Sequence, residues 1–374
     1  MSKSYTPGLK VLKNSKVIKD RLLPLKGEVH SELNDSVNSD TVVASTKIPG
    51  NVQMLNMVNK LNIDASQISD YMLVNLNENI KKDQIIAKNQ GFFGMFKSEV
   101  KSPIDGKISS ISNVTGQVVI SEEPIPVEID AYIPGKIENI YNEEGVRVNS
   151  NGTFIQGIIG IGGEKQGIIK FLVDNPKQRI DSSYINSDLK DLIIVSGSFI
   201  DYDFYKKAKE NGVKGIICGG IDYSTISKIL GYSLGVAITG SENTTTLIIT
   251  EGFGQIDMAR NTFNLLYENI GKKASINGAT QIRAGVLRPE IFIELKSDLQ
   301  SKDLEENDLI ISQGTIVRVI REPYFGKIGE IISLPFELVK MDSETKVRVA
   351  EVKFDDGNIK VIPRANLEVI LSNE

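Results

Sequence analysis

Tryptophan is absent from this chain, and cysteine and histidine occur once each, as Cys218 and His30. A single cysteine excludes an intramolecular disulfide framework and a cysteine-cluster metal site. Cys218 closes the apolar run Gly215–Cys218 and reads as a buried, inert thiol. A single histidine excludes a multi-histidine zinc centre, and His30, alone in a polar stretch, reads as a surface residue that supplies no Ser/His/Asp triad. No window approaches the roughly 18 apolar residues of a membrane span, and no hydrophobic signal region follows the N-terminal lysines. The expectation is a cytoplasmic protein without membrane insertion. Excess positive charge is missing too. Lysine and arginine number 43 against 48 acidic residues, a formal net charge of -5, which argues against a uniformly basic nucleic-acid binder. No Walker loop occurs.

What is present is 374 residues, enough for two or three domains with real cores. The block from Leu192 to Gly254 organises the chain. It holds four short β-branched runs, Leu192–Val195, Gly215–Cys218, Val236–Thr239 and Leu247–Thr250, with helical patterns after the first two. Such alternation predicts βα units on a largely parallel sheet. Asp201 and Asp222 stand as N-caps for helices over Tyr202–Asn211 and Tyr223–Leu230, and a third helix is expected over Ile256–Ile270. Each run ends in a glycine turn. Gly197, Gly219, Gly220, Gly240, Gly252 and Gly254, with Glu251, are therefore the candidate lining of an anion-binding crevice, and Arg283 and Arg288 are its candidate cations. The competing reading pairs these arginines with Glu242, Glu251 or Glu290 across a domain interface. Carboxylates beside the turns, Asp201, Glu242 and Glu251, read as caps and ion-pair partners, so no catalytic residue and no metal ligand is assigned.

The N-terminal 1–40 form a basic arm, with Lys3, Lys10, Lys13, Lys16, Lys19, Arg21 and Lys26 ahead of Gly27 against Asp20 alone. Either the arm touches nucleic acid or an acidic partner, or it is an edge packed on the next module through Val11, Val17, Ile18 and Leu22. Residues 41–172, rich in valine, isoleucine and glycine, predict an all-β module. An internal repeat runs through it: Gly106, Lys107, Ile108, Ile111 and Gly116 recur 29 residues later as Gly135, Lys136, Ile137, Ile140 and Gly145. Two hairpins packed in one small sandwich are expected, with a weaker third echo at Ile48–Val52. The glycine cluster Gly157–Gly167 reads as β-turns, since no strand–turn–helix context makes it a dinucleotide fingerprint.

The stretch Asn77–Ala87 followed by Lys101–Ile108 resembles the barrel-sandwich hybrid of biotinyl and lipoyl domains, and is similar to the N-terminal domain of the C subunit of Rnf-type electron-transport complexes. Carriers in those families bear their cofactor on a lysine about eight residues before the proline. Here that position is Met95, with Lys97 two residues on, and no cofactor is expected. The hairpin tip with Phe92, Phe93 and Phe96 reads as a plug or docking surface. The strand and Glu-Gly turn at Ile248–Gly252 resemble the opening of a Toprim domain, but no Asp-x-Asp follows on a later strand. In shape the block also resembles swivelling or Rossmann-like domains.

At the C-terminus, Thr315–Ile320 and Tyr324–Ile332 resemble the KOW motif, which implies an SH3-like barrel and an association with RNA, ribosomes or transcription machinery. The resemblance makes Arg318, Tyr324, Phe325, Lys327 and Arg348 candidate nucleic-acid contacts. Nine basic and nine acidic residues between Thr315 and Leu371 leave a protein-binding barrel equally open. The expected class is α/β plus all-β modules: arm 1–40, barrel-sandwich hybrid 41–172, linker 173–191, central α/β domain 192–295, linker 296–314 and KOW barrel 315–374. The arrangement resembles a bacterial multidomain family. The leading expectation is a non-catalytic adaptor with a protein partner and a small anionic ligand in the central crevice. Nucleic-acid binding through the KOW module and action on a phosphorylated or carboxylated metabolite are the alternatives, and oligomeric state is left open.

Overall fold

The structure, a computed structural model, describes residues 9–89, 98–232, 237–238, 244–281, 287–295, 311–321, 323–324, 327–340, 346–354 and 356–373. Its body is a closed barrel. Strand Gly145–Gln156 pairs antiparallel with Glu290–Glu294, which pairs with Lys273–Asn277, which pairs with Glu164–Phe171. Next come three parallel neighbours, Leu192–Val195, Gly215–Ile221 and Thr246–Phe253. Ile159–Ile161, the continuation of Gly145–Gln156, pairs antiparallel with Thr246–Phe253 and closes the ring. Gly157 makes the corner: a Cβ there would stand 2.8 Å from the Ile249 carbonyl, so only glycine lets the strand turn between its two partners. The glycine cluster read as turns is this corner.

The parallel block forms as the alternation predicts, with two corrections. Ala237–Ile238 does not join the parallel strands; it pairs antiparallel with Thr280–Gln281 in a separate small sheet. Asp201 caps helix Tyr202–Glu210 by accepting from the Phe204 N–H at 2.8 Å, whereas Asp222 caps helix Tyr223–Leu230 with no side-chain hydrogen bond. The third helix is shorter than expected, Arg260–Tyr267. The boundary expected at 173–191 does not separate two cores. Ile180, Ile185 and Leu189 are buried in the same cluster as Ile155, Ile169, Ile193 and Ile217, because the sheet runs straight from residue 171 to 192 in hydrogen-bonding order.

The region expected as one sandwich, 41–172, is two copies of one β module, one nested in the other. In the outer copy Ser36–Val37, Gly135–Tyr141, Gly145–Gln156 and Leu9–Leu22 lie side by side; in the inner copy the same order is made by Asn79–Ile80, Gly106–Ser112, Gln117–Ser121 and Val52–Asn56. Each copy adds a hairpin, Val42–Ile48 with Ile125–Asp130 outside and Ile85–Asn89 with Ser98–Lys101 inside. The registers of these two hairpins coincide to the residue. Val42 faces Asp130 and Ala44 faces Ile129 around a bulge at Val43, as Ile85 faces Lys101 and Ala87 faces Val100 around a bulge at Ile86. Val29 pairs with Ala44 as Met72 pairs with Ala87. Asn34 and Asn77, both left-handed with φ 71° and 69°, donate their backbone N–H to the Ile137 and Ile108 carbonyls.

The inner copy enters at the tip of the outer hairpin. Ile48 and Ile125 face each other as the last pair of that hairpin, so residues 49–124 leave and return at one point. Each copy has its own core. Ile108, Val118 and Ile120 pack with Met57, Ile68 and Ile86, whereas Ile137, Val146 and Val148 pack with Val43, Tyr132 and, from the barrel body, Phe292. The repeated Gly-Lys-Ile hairpins therefore lie in different sheets. Gly106 and Gly135 serve one purpose, since a Cβ on either would strike a carbonyl of the facing strand, Ser121 or Asn149. The repeat also slips by one residue after the turn. Gly116 sits in its turn at φ +67°, while Gly145 already pairs with Leu22 in a strand.

The C-terminal strands order as Ile359–Pro363, Val349–Phe354, Ile328–Ser333, Ile316–Val319 and Leu367–Asn373, all antiparallel. Leu367–Asn373 also pairs in parallel with Leu9–Leu12, and Leu12 is buried in this module's core among Val317, Ile331 and Val352. One strand, Leu9–Leu22, thus joins the outer copy, the barrel body and the C-terminal module.

Candidate functional site: the sealed rim of the parallel strands

Parallel strands place their carboxyl ends along one rim, the usual seat of ligand sites in α/β sheets. Here three glycines on that rim, Gly197, Gly219 and Gly220, are covered by the protein's own backbone. A Cβ on Gly197 would come 2.5 Å from the Gln178 carbonyl, and one on Gly219 would come 2.5 Å from the Ile256 carbonyl and 2.7 Å from the Met258 N. Gly220 faces the Gly254 carbonyl as closely. Gly197, Gly252 and Gly254 hold φ values of +76°, +135° and +100°, which turn the chain back across the strand ends. Gly197, Gly219 and Gly220 are needed for backbone-on-backbone packing, Gly254 for its left-handed turn, and the crevice expected beside Gly219 and Gly220 is filled by residues 254–258. Gly240, Arg283 and Glu242 lie outside the described residues.

Charge at this rim is internal as well. Glu251 is 3% exposed and accepts from the Ala259 N–H at 3.0 Å; burial raises its carboxyl pKa, against the pull of Arg318. Arg318, also 3% exposed, reaches across from the C-terminal module and donates to the Glu251 carbonyl at 3.2 Å. Its other branch engages one oxygen of Glu368, and Arg288 engages the second oxygen of the same carboxylate. Burial lowers the pKa of both guanidiniums, that of Arg318 to about 10, so Arg318 stays charged at neutral pH. A carboxylate held between buried Arg318 and partly buried Arg288 is a structural bond between modules, because removing it leaves two cations without their counter-ion. The interface reading of Arg288 agrees with this geometry, though its partner is Glu368. Glu368 drew no notice in the sequence, although a lone acid within the run Leu367–Leu371 was a usable signal.

The expected nucleic-acid contacts are scattered in the same way. Arg318 offers no guanidinium to a phosphate, a correction that follows from its burial. Tyr324 packs on Phe354 with ring centroids 5.6 Å apart, and Lys327 pairs with Asp356 at 3.4 Å. Arg348 is exposed, and Phe325 lies outside the described residues. The basic arm is a strand whose cations meet acids of neighbouring segments: Lys13 with Glu268, Lys16 with Glu138, Lys19 with Glu290, Arg21 with Glu164 and Asp130, and Lys26 with Glu143. Its charge answers the acidic surface around it. Phe92, Phe93, Met95, Phe96 and Lys97 lie outside the described residues.

A second polar cluster went unnoticed in the sequence. Tyr132, left-handed at φ 62°, is buried with its hydroxyl unpartnered, below the cations of Lys19 and Arg21 at 5.8 and 5.4 Å from its ring. Burial raises its phenol pKa well above the ordinary value. Beside it opens a cleft of about 220 Å³ lined by Asp40, Lys273, Phe292 and Glu294. Asp40 and Lys273 pair at 3.3 Å on its exposed lip. Cys218 is buried and its thiol pKa is pushed up by that burial, and His30 is exposed with its Nε2 2.7 Å from the Ser45 hydroxyl. Among the described residues no group of three or more His, Cys, Asp or Glu side chains is placed to hold a metal ion, and no helix is long and apolar enough to cross a membrane. No protein-family model and no curated protein matches the chain.

Proposed function

We propose that the chain is a non-catalytic adaptor, a rigid body that holds its inner β module out towards a protein partner. The observation that carries this reading is the nested insertion. Residues 49–124 keep a core of their own and meet the body through the two-stranded stalk ending at Ile48 and Ile125. The other charged candidates support it, since Arg288, Arg318 and Glu368 tie the C-terminal module to the body. A body tied this way keeps its modules at fixed spacing, which suits a scaffold. The barrel-sandwich and KOW resemblances suit the same reading, as both families include recognition modules.

Native mass spectrometry of the chain purified from cells that make it tests the proposal, using the full chain and a version in which an Asn-Gly turn replaces residues 49–124. That turn suits a two-residue hairpin. The excised chain is expected to melt cooperatively and to lose a stoichiometric protein partner that the full chain retains. A small bound mass released on denaturation, without a protein partner, would overturn the proposal in favour of an enzyme or ligand sensor.

A further inference from the structure

The strand Ile359–Pro363 pairs with Val349–Phe354 without a register shift, and among the described residues no strand covers the backbone N–H and C=O groups of its other edge. Such an edge is normally guarded by charge, proline or a bulge. Here Pro363 guards only the last position. Along the strand Ile359 is 52% and Val361 47% exposed. Phe336 is 89% exposed, and the preceding Pro335 carbonyl accepts from Arg364 at 3.0 Å, which tethers that aromatic beside the strand's end. Lys346, Arg348, Lys353 and Lys360 are exposed and form no ion pair among the described residues. The acids near them are Glu330, opposite Lys353 on the neighbouring strand, Glu337, Glu351, which faces Val361 and accepts from the Ser333 hydroxyl, and Asp356, which pairs with Lys327.

We infer that this edge takes up an extended segment of a partner protein by β-strand addition, and that the segment alternates apolar with acidic residues. Main-chain bonds to the open edge would supply affinity, Ile359, Val361 and Phe336 would receive the apolar side chains, and the four cations would select for acids. Alternation follows from the period of two in a strand. A nucleic acid fits less well: single strands stack on successive aromatic platforms, whereas Phe336 is the single exposed aromatic beside the edge among the described residues, Tyr324 is packed against Phe354, and the strand itself offers the aliphatic Ile359 and Val361. This inference rests on the adaptor reading and gives the scaffold a second docking surface, for a partner other than the one the inner module holds.

The test titrates the full chain with a fluorescein-labelled, end-capped peptide of alternating glutamate and valine, its lysine–valine counterpart and a short oligouridylate, read by anisotropy and by amide hydrogen exchange. The glutamate peptide is expected to bind, to slow exchange over 359–362, and to lose about tenfold in affinity, roughly 1.4 kcal/mol, in Val361→Asp and in Lys360→Glu. Both positions are exposed, so the variants keep the fold. Equal binding of the two peptides, or no protection at the edge, overturns the inference. Protection by oligouridylate in place of the peptide overturns it too and makes the surface a nucleic-acid site. Failure here with the partner still lost on excision of 49–124 leaves the adaptor reading standing; a released small mass removes that reading whatever the peptides do.

Discussion

The two nested copies share a hydrogen-bonding plan but differ in what surrounds them. The inner copy buries Met57, Leu61 and Ile68 from short helices of its own, and its chain leaves and returns through the stalk ending at Ile48 and Ile125. The outer copy has no such helices. It completes its core with Phe154 and Phe292 of the barrel and aligns Lys19 and Arg21 with Glu290 and Glu164 at that junction. One backbone pattern thus stands alone when it brings its own cover and becomes part of a larger body when a neighbouring sheet covers it. The hairpin tip, having no packing duty in the outer copy, is where a whole module could be inserted.

The contrast can be broken most severely on the outer side. Glu368→Ala leaves Arg288 and Arg318 buried without their carboxylate and is expected to cost about 3–5 kcal/mol in denaturant unfolding, with exchange protection lost where Leu9–Leu12 meets the C-terminal strand and kept in 49–124. Next come the paired isoleucines. Ile137→Ala and Ile108→Ala each remove a fully buried side chain and are each expected to cost about 2–5 kcal/mol. Ile137→Ala should lower the main transition, while Ile108→Ala should release only the amides of 49–124; a single shared transition for both would show that the copies fold as one unit. The smallest effect lies at the rim. Burial raises the Glu251 pKa, so the folded state holds its proton more tightly than the unfolded chain. Stability from this group is complete below the ordinary glutamate range and falls as pH rises through the raised folded value. Glu251→Gln, which still accepts from the Ala259 N–H, is expected to flatten that fall, seen as a melting temperature that drops less between acidic and neutral pH than in the parent chain.

Much of the local structure was legible. The runs at Leu192–Val195 and Gly215–Cys218, the Asp201 cap and the C-terminal strands all announced themselves by β-branched alternation and turn residues. Half of the duplication was legible too, through Gly106-Lys107-Ile108 and Gly135-Lys136-Ile137. The other half was not. Its equivalences run 43 residues in the opposite direction, as in Asn34 with Asn77 and Ala44 with Ala87, because an insertion places one half before the guest and the other after it. What those strands share is register and burial, which many apolar residues satisfy. The candidate site fared worse, since a glycine that admits a ligand and a glycine that admits a crossing backbone look alike in sequence. Gly219 and Gly220 proved to be the second kind.

Composition alone decided that this chain has no intramolecular disulfide and no multi-histidine metal centre of its own, and local patterning decided where most strands and helices form. Both depend on residue type and short-range spacing. Which strands close the barrel, that one module sits inside another, and that Arg288, Arg318 and Glu368 converge were decided only in three dimensions. Those outcomes depend on pairings between residues as far apart as Leu9 and Ile370, where selection acts on shape and on compensated charge rather than on any contiguous motif.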